Sequence, residues 1–136
     1  MRKALLVALL TTTLPVLAQS SLTVDWEWKR THQCSRTSPS IEVAGIPEGT
    51  KSLSITLVDH DASHFQHGGG SVVHDGGSKF SIPEGALKNY TGPCPPNFAS
   101  FGHVYEFTVR AIAVDGRAEL ARGSKTKTFS AATVKQ

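Results

Sequence analysis

The chain has 136 residues, with 14 basic and 11 acidic side chains, six histidines and two cysteines. A formal net charge of +3 is too small to mark a nucleic-acid binder, and no apolar run is long enough to span a bilayer as a helix. The length suits one domain with a sizeable core.

Arg2 and Lys3 precede an apolar run from Ala4 to Leu10, and a threonine-rich stretch leads to Pro15-Val16-Leu17-Ala18-Gln19. A charged start, an apolar centre and a small-residue exit predict a signal peptide over residues 1–18, cleaved after Ala18. The expected mature unit is a single domain over 19–136, exported and therefore periplasmic or secreted. Losing Arg2 and Lys3 leaves 12 basic against 11 acidic residues, a balance of +1, so the pI of 9.0 overstates how basic the working protein is. Export also places Cys34 and Cys94 where thiols oxidise, and an even count then predicts one disulfide between them. The bridge would close a loop of about sixty residues and contribute roughly 2–4 kcal/mol.

The strand signals follow in order. Leu22, Val24, Trp26 and Trp28 alternate with Thr23, Asp25 and Glu27, a period-two pattern with one face buried. Ile41 to Val43 is a shorter candidate. Pro47-Glu48-Gly49 breaks the chain before Leu53, Ile55 and Leu57, which alternate with Ser52, Ser54 and Thr56. From Asp59 to Gly102 the chain is rich in glycine and proline, and long loops usually carry function. Val72, Val73, Phe80 and Ile82 suggest one or two short strands within it. Tyr105, Phe107, Val109, Ala111 and Ala113 form the third long alternation, closed by Asp115-Gly116, a good hairpin signal. Arg117 to Arg122 reads as a helical turn and Thr126 to Phe129 as a short strand. The expected class is all-β, mainly an antiparallel sandwich with little helix.

Asp59-His60-Asp61 lies where the Leu53–Val58 strand runs out. Two carboxylates at i and i+2 of an extended chain share a face and repel unless something positive or hydrogen-bonding lies between them. By itself the segment reads as an Asp-rich turn cap. Five of the six histidines, His60, His64, His67, His74 and His103, fall in this same stretch. Tyr90-Thr91-Gly92-Pro93-Cys94-Pro95-Pro96 is a stiff loop, suited to a pocket wall or to a structural corner.

Five strings occur in order: Cys34-Ser35 with Ser38-Pro39, Pro47-Glu48-Gly49-Thr50-Lys51-Ser52-Leu53, Asp59-His60-Asp61-Ala62, Tyr90 to Pro96, and Gly102-His103-Val104-Tyr105-Glu106-Phe107. Together they resemble the phosphatidylethanolamine-binding protein (PEBP) family, in particular its short bacterial Raf-kinase-inhibitor-like branch. The resemblance covers roughly residues 34 to 115. It implies a PEBP-like sandwich of two antiparallel sheets with Greek-key connections. It also implies a small cavity at one end for phosphate, acetate or a phospholipid head group such as phosphoethanolamine. Carried across residue by residue, that cavity is expected to use Asp59, Asp61, His67, His103 and Tyr105, with Tyr90 and the Pro93–Pro96 loop at its rim; His64 competes with His67 for one place.

Protonated imidazoles, a phenol and glycine-rich backbone can all donate to an anion. The carboxylates are expected to orient and charge the histidines, so that anion binding strengthens as pH falls through the histidine range. The chain departs from the family pattern at His60 and Ser63, where prolines are usual. It departs again at Val104, where arginine is usual, and at Gly68-Gly69-Gly70-Ser71, where tryptophans are usual. The C-terminal helix of longer members is missing or reduced to a turn. The last two departures should open the pocket.

The competing reading is a metal-binding protein using Asp59, Asp61, His64, His67 and His103 for zinc or copper(II). Met1 is the sole methionine, which disfavours a thioether copper(I) site. A protein partner rests on family analogy alone. No cofactor is expected, and no nucleophile elbow or P-loop suggests an enzyme, although carboxylates beside histidines can do acid–base work. Asn89-Tyr90-Thr91 is a glycosylation sequon, relevant in a eukaryotic host.

Overall fold

The computed structural model describes residues 20–136, so the signal peptide expected over 1–18 and its cleavage point lie outside the described residues. Among the described residues, nine strands form two open sheets. A six-stranded sheet has the order β1 (Ser20–Ser21), β9 (Glu119–Phe129), β8 (His103–Ala113), β4 (Thr50–Asp59), β5 (Gly68–Val73) and β7 (Asn89–Tyr90). A three-stranded sheet has the order β2 (Thr23–Trp26), β3 (Ile41–Ala44) and β6 (Lys79–Ile82). All pairings are antiparallel except β1 with β9. The all-β expectation holds; among the described residues helix is confined to one 3₁₀ turn, Arg30–His32.

The alternating residues of the sequence become the interior. Val24 and Trp26 of β2 and Ile41 and Val43 of β3 face Leu53, Ile55 and Leu57 of β4 and Phe107 and Val109 of β8, all buried in one cluster. Trp26 meets the Phe107 ring edge-on at 5.0 Å, joining the two sheets. Burying such a side chain stabilises the fold by roughly 1.5–3 kcal/mol, which is why a register slip of one residue on β4 or β8 is excluded.

Two sequence readings need correction. The helical turn expected over Arg117–Arg122 is absent: Asp115 Oδ1 accepts the N–H groups of Arg117 and Ala118, and β9 is already running at Glu119. Its first inward positions are Ala121 and Gly123, too small to show a hydrophobic alternation. Gly123 must be small, since a Cβ there would lie 2.1 Å from the Leu22 carbonyl oxygen. The triple glycine is likewise not a loop. It opens β5, and Gly69 lies so close to β4 that a Cβ would sit 1.9 Å from the Ile55 oxygen. At the C-terminus, residues after β9 form a turn in which Val134 N–H donates to Ser130 O at 3.2 Å, in line with the reduced helix.

Candidate functional site

Asp59 ends β4 and His103 opens β8, and the antiparallel register sets Asp59 directly opposite Tyr105. Asp59 and Tyr105 therefore stand side by side on the interior face, 3% and 1% exposed. Just before His103, Gly102 lets the start of β8 pass close against the end of β9. Its φ of +59° is left-handed, and a Cβ would fall 1.8 Å from the Phe129 oxygen.

Every oxygen of the Asp59 carboxylate is engaged. Oδ1 accepts the N–H groups of Asp61 at 2.9 Å and Ala62 at 3.1 Å, the turn cap legible in the sequence. Oδ2 accepts His103 Nδ1–H at 2.8 Å and lies 3.9 Å from His67 Nε2. Burial by itself would raise the Asp59 pKa, but the hydrogen bonds from His103 and the Asp61 backbone outweigh it and hold the carboxyl below its usual value. For Tyr105, burial and then the facing Asp59 carboxylate push the phenol well above its ordinary value, so the hydroxyl stays protonated.

His67 precedes β5 and is 4% exposed. Its Nδ1–H donates to the Thr91 carbonyl at 2.8 Å, while Thr91 N–H donates back to the His67 carbonyl at 2.9 Å. Both imidazoles are thus anchored through Nδ1, which leaves Nε2 as the second ring nitrogen of each. The His67 ring meets Tyr105 edge-on at 5.4 Å, and the His103 ring stacks on Tyr105 with a 29° tilt at 6.3 Å.

These side chains surround a cavity of about 150 Å³. Asp59, His67, His103 and Tyr105 line it together with Ala62, His64, Phe65, Cys94 and Pro96. Of the two competing histidines, both reach the cavity: His67 is buried and fixed, His64 exposed. A larger cavity of about 330 Å³, among Ile46 to Thr50 and Gly76 to Ser78, has His74 as its one imidazole and no such convergence. We take the smaller as the candidate site because titratable and donor groups meet there.

Two expected site residues are placed otherwise. Asp61 does not line the cavity; its Oδ2 accepts Val104 N–H at 2.8 Å and clamps the turn after β4 to β8. Tyr90 is not at the rim. It is 2% exposed in the core, stacked on Phe107 at 6.3 Å, with its hydroxyl unpaired. β7 pairs with β5 through Gly68 and Gly69, and this turns the Tyr90 ring inward. The Tyr90–Pro96 segment contributes its far end instead, through Cys94 and Pro96. Cys34 and Cys94 form the expected disulfide.

The reading of the sequence missed Phe65, half-exposed, with its ring 4.6 Å from His67. The signal was an isolated aromatic in the polar stretch Ser63-His64-Phe65-Gln66-His67. As for metal, Asp59, Asp61 and His103 offer ligand atoms within 4.8 Å of one another. Three of the four carboxylate oxygens already accept hydrogen bonds, which leaves a cation only part of their acceptor capacity. His64 and His67 do not join that group.

The sequence pattern of the phosphatidylethanolamine-binding proteins matches residues 15–136. The fold is similar to a solved structure of E. coli YbcL, described as a new member of the mammalian PEBP family. The TM-score is 0.57 and the identity 21%, over 83% of this chain and 99% of that one. No curated protein matches the chain.

Proposed function

The chain belongs to the phosphatidylethanolamine-binding protein family, and from that premise we propose that it is an exported binding protein whose cavity at Asp59, His67, His103 and Tyr105 holds a small anionic group. Phosphate and a phospholipid head group such as phosphoethanolamine are the ligands in view. One observation carries this reading. Two imidazoles anchored at Nδ1 and a protonated phenol converge on one cavity of about 150 Å³. That volume suits a phosphate or a head group, not a whole lipid.

The charged, apolar and small-residue pattern of residues 1–18 supports export, and a Cys34–Cys94 bridge suits an oxidising compartment. Binding without turnover is the simpler assignment. The residues lining the cavity include no serine, and Cys94 is bridged.

The test is a thermal-shift titration with inorganic phosphate, phosphoethanolamine and zinc at pH 5.5 and 7.5, with His103→Ala alongside. Stabilisation by the phospho compounds that is stronger at pH 5.5 and lost in the variant is the expected result. A shift with zinc alone, stronger at pH 7.5, would replace the anion reading by a metal one. No shift with any of the three would remove ligand binding from this cavity.

A further inference from the structure

We propose that the Cys34–Cys94 disulfide is a thiol–disulfide exchange site that latches the wall of the cavity, so that its reduction by a dithiol loosens the wall and releases the bound anion; the release rests on the anion reading above. Three observations meet at this bridge. Both cysteines are exposed, and exposed bridges are the ones open to exchange. Cys34 has φ +53°, the sole positive φ among the described non-glycine residues, a conformation that disfavours an L side chain and persists where the surroundings enforce it. And Cys94 itself lines the cavity, next to Pro96.

The wall is held at two ends with the bridge between them. At one end Gly92 N–H donates to Ser35 O at 2.7 Å, and the packing is so close that a Cβ on Gly92 would lie 2.6 Å from that oxygen. At the other end Phe98 is buried and its carbonyl accepts Ala131 N–H at 2.8 Å. Between them the loop is tied to the Cys34 segment by the disulfide and by Cys34 N–H donating to Pro93 O at 2.8 Å. The Cys94 backbone also faces the Tyr105 hydroxyl and favours its ionised form, so a shift of Cys94 is felt by the cavity's own phenol. Cutting the bridge frees Cys34 to leave its left-handed conformation, which withdraws its N–H from Pro93. The hydrophobic core lies in other residues, so the fold persists while the wall moves.

The exchange balances. A thiolate of the dithiol attacks one sulfur of the bridge, and the other departs as a thiolate and takes up a proton. The second thiol of the reagent then displaces the remaining protein sulfur from the mixed disulfide. The protein gains two electrons and two protons, and the reagent leaves as its own disulfide.

The full chain, oxidised, is treated with dithiothreitol without denaturant. Reduction is followed by alkylation and intact mass, the fold by circular dichroism, and the wall by NMR of the Cys94 amide and the His103 ring. Phosphate affinity is measured by calorimetry in both states. We expect native reduction with the dichroism kept, shifted Cys94 and His103 resonances, and a phosphate Kd at least about tenfold weaker as preorganisation is lost. Reoxidation should restore it, and Cys34→Ser with Cys94→Ser should behave as the reduced protein. The proposal is overturned if the bridge resists until the chain unfolds, if reduction itself unfolds the chain, or if the reduced protein keeps its resonances and its phosphate affinity. Should oxidised protein ignore phosphate, the anion reading fails, and the latch is then decided by the Cys94 and His103 resonances alone.

Discussion

Asp59→Asn removes one charge and almost no volume from the centre of the site. The carboxamide oxygen can still accept the N–H groups of Asp61 and Ala62, which reach Oδ1 at 2.9 and 3.1 Å. Its NH₂ then faces His103 Nδ1–H, where Oδ2 had accepted at 2.8 Å. Two donors cannot share that contact, so His103 must change tautomer and the charge-assisted bond is lost. Such a bond contributes about 1.5–3 kcal/mol when buried. We expect a destabilisation of about 2 kcal/mol near neutrality, a fall in Tm of about 8 °C for a domain of this size.

The sign of the pH dependence follows from the depressed pKa of Asp59. A carboxyl held below its unfolded value stabilises the folded state fully above that value, about 3.9. The contribution disappears as pH falls through the lower, folded value. Wild type and variant, compared by urea denaturation over a pH series, should differ by a constant amount at mildly acid pH and converge in strong acid. Asp25, drawn down to about 2 by Lys127 and then Lys125, is present in both proteins and cancels. A gap that stays constant or widens into strong acid would refute the assignment of Asp59 as the ionised hub of the site.

Gly102→Ala should cost roughly 3 kcal/mol or more, since both its φ and the Phe129 oxygen forbid a Cβ; a variant melting with wild type would contradict the packing of β8 on β9. Tyr90→Phe removes an unpaired buried hydroxyl and should leave stability unchanged or raise it by up to about 1 kcal/mol. A clear loss in urea titration would mean that the hydroxyl has a polar partner. His32 is held below the usual histidine pKa by burial, against the opposing pull of Glu84. Its stabilisation is therefore complete above about pH 6.5 and declines as pH falls below it. His32→Gln should flatten that part of the Tm profile, because glutamine can accept from Lys29 N–H and donate to Glu84 without titrating. An unchanged profile would show that His32 is not the group responsible.

The sequence made the interior legible wherever large apolar residues alternate, as in Leu53-Ile55-Leu57 and Tyr105-Phe107-Val109. It hid the first half of β9, whose inward positions are small at Ala121 and Gly123, the latter because the Leu22 backbone passes over it. It hid the triple-glycine strand for the same reason: close approach of two backbones selects residues with no hydrophobic signal. The members of the site could be named only through family resemblance, because Asp59 and Tyr105 meet by strand register across 45 intervening positions. Tyr90 shows where such a transfer stops. The string around it matches, yet whether its ring faces cavity or core depends on how β7 docks on β5, which no local pattern encodes.

A buried carboxylate at the centre of the proposed anion site looks contradictory until its lone pairs are followed. Asp59 is engaged by its two backbone donors, by His103 and by the facing Tyr105, and beside it the cavity meets an imidazole held by Nδ1. The Thr91 carbonyl does the same for His67. Each ring is thereby left with Nε2 as its second nitrogen. Protonated, the two nitrogens are donors beside the Tyr105 phenol and suit an oxyanion. Neutral, they are lone pairs that repel an oxyanion and attract a metal ion. One arrangement of side chains can therefore offer donors to an oxyanion or lone pairs to a metal ion. Zinc at the higher pH is the control that separates them, and Asp59→Asn, which unpins His103, should weaken whichever ligand the cavity takes.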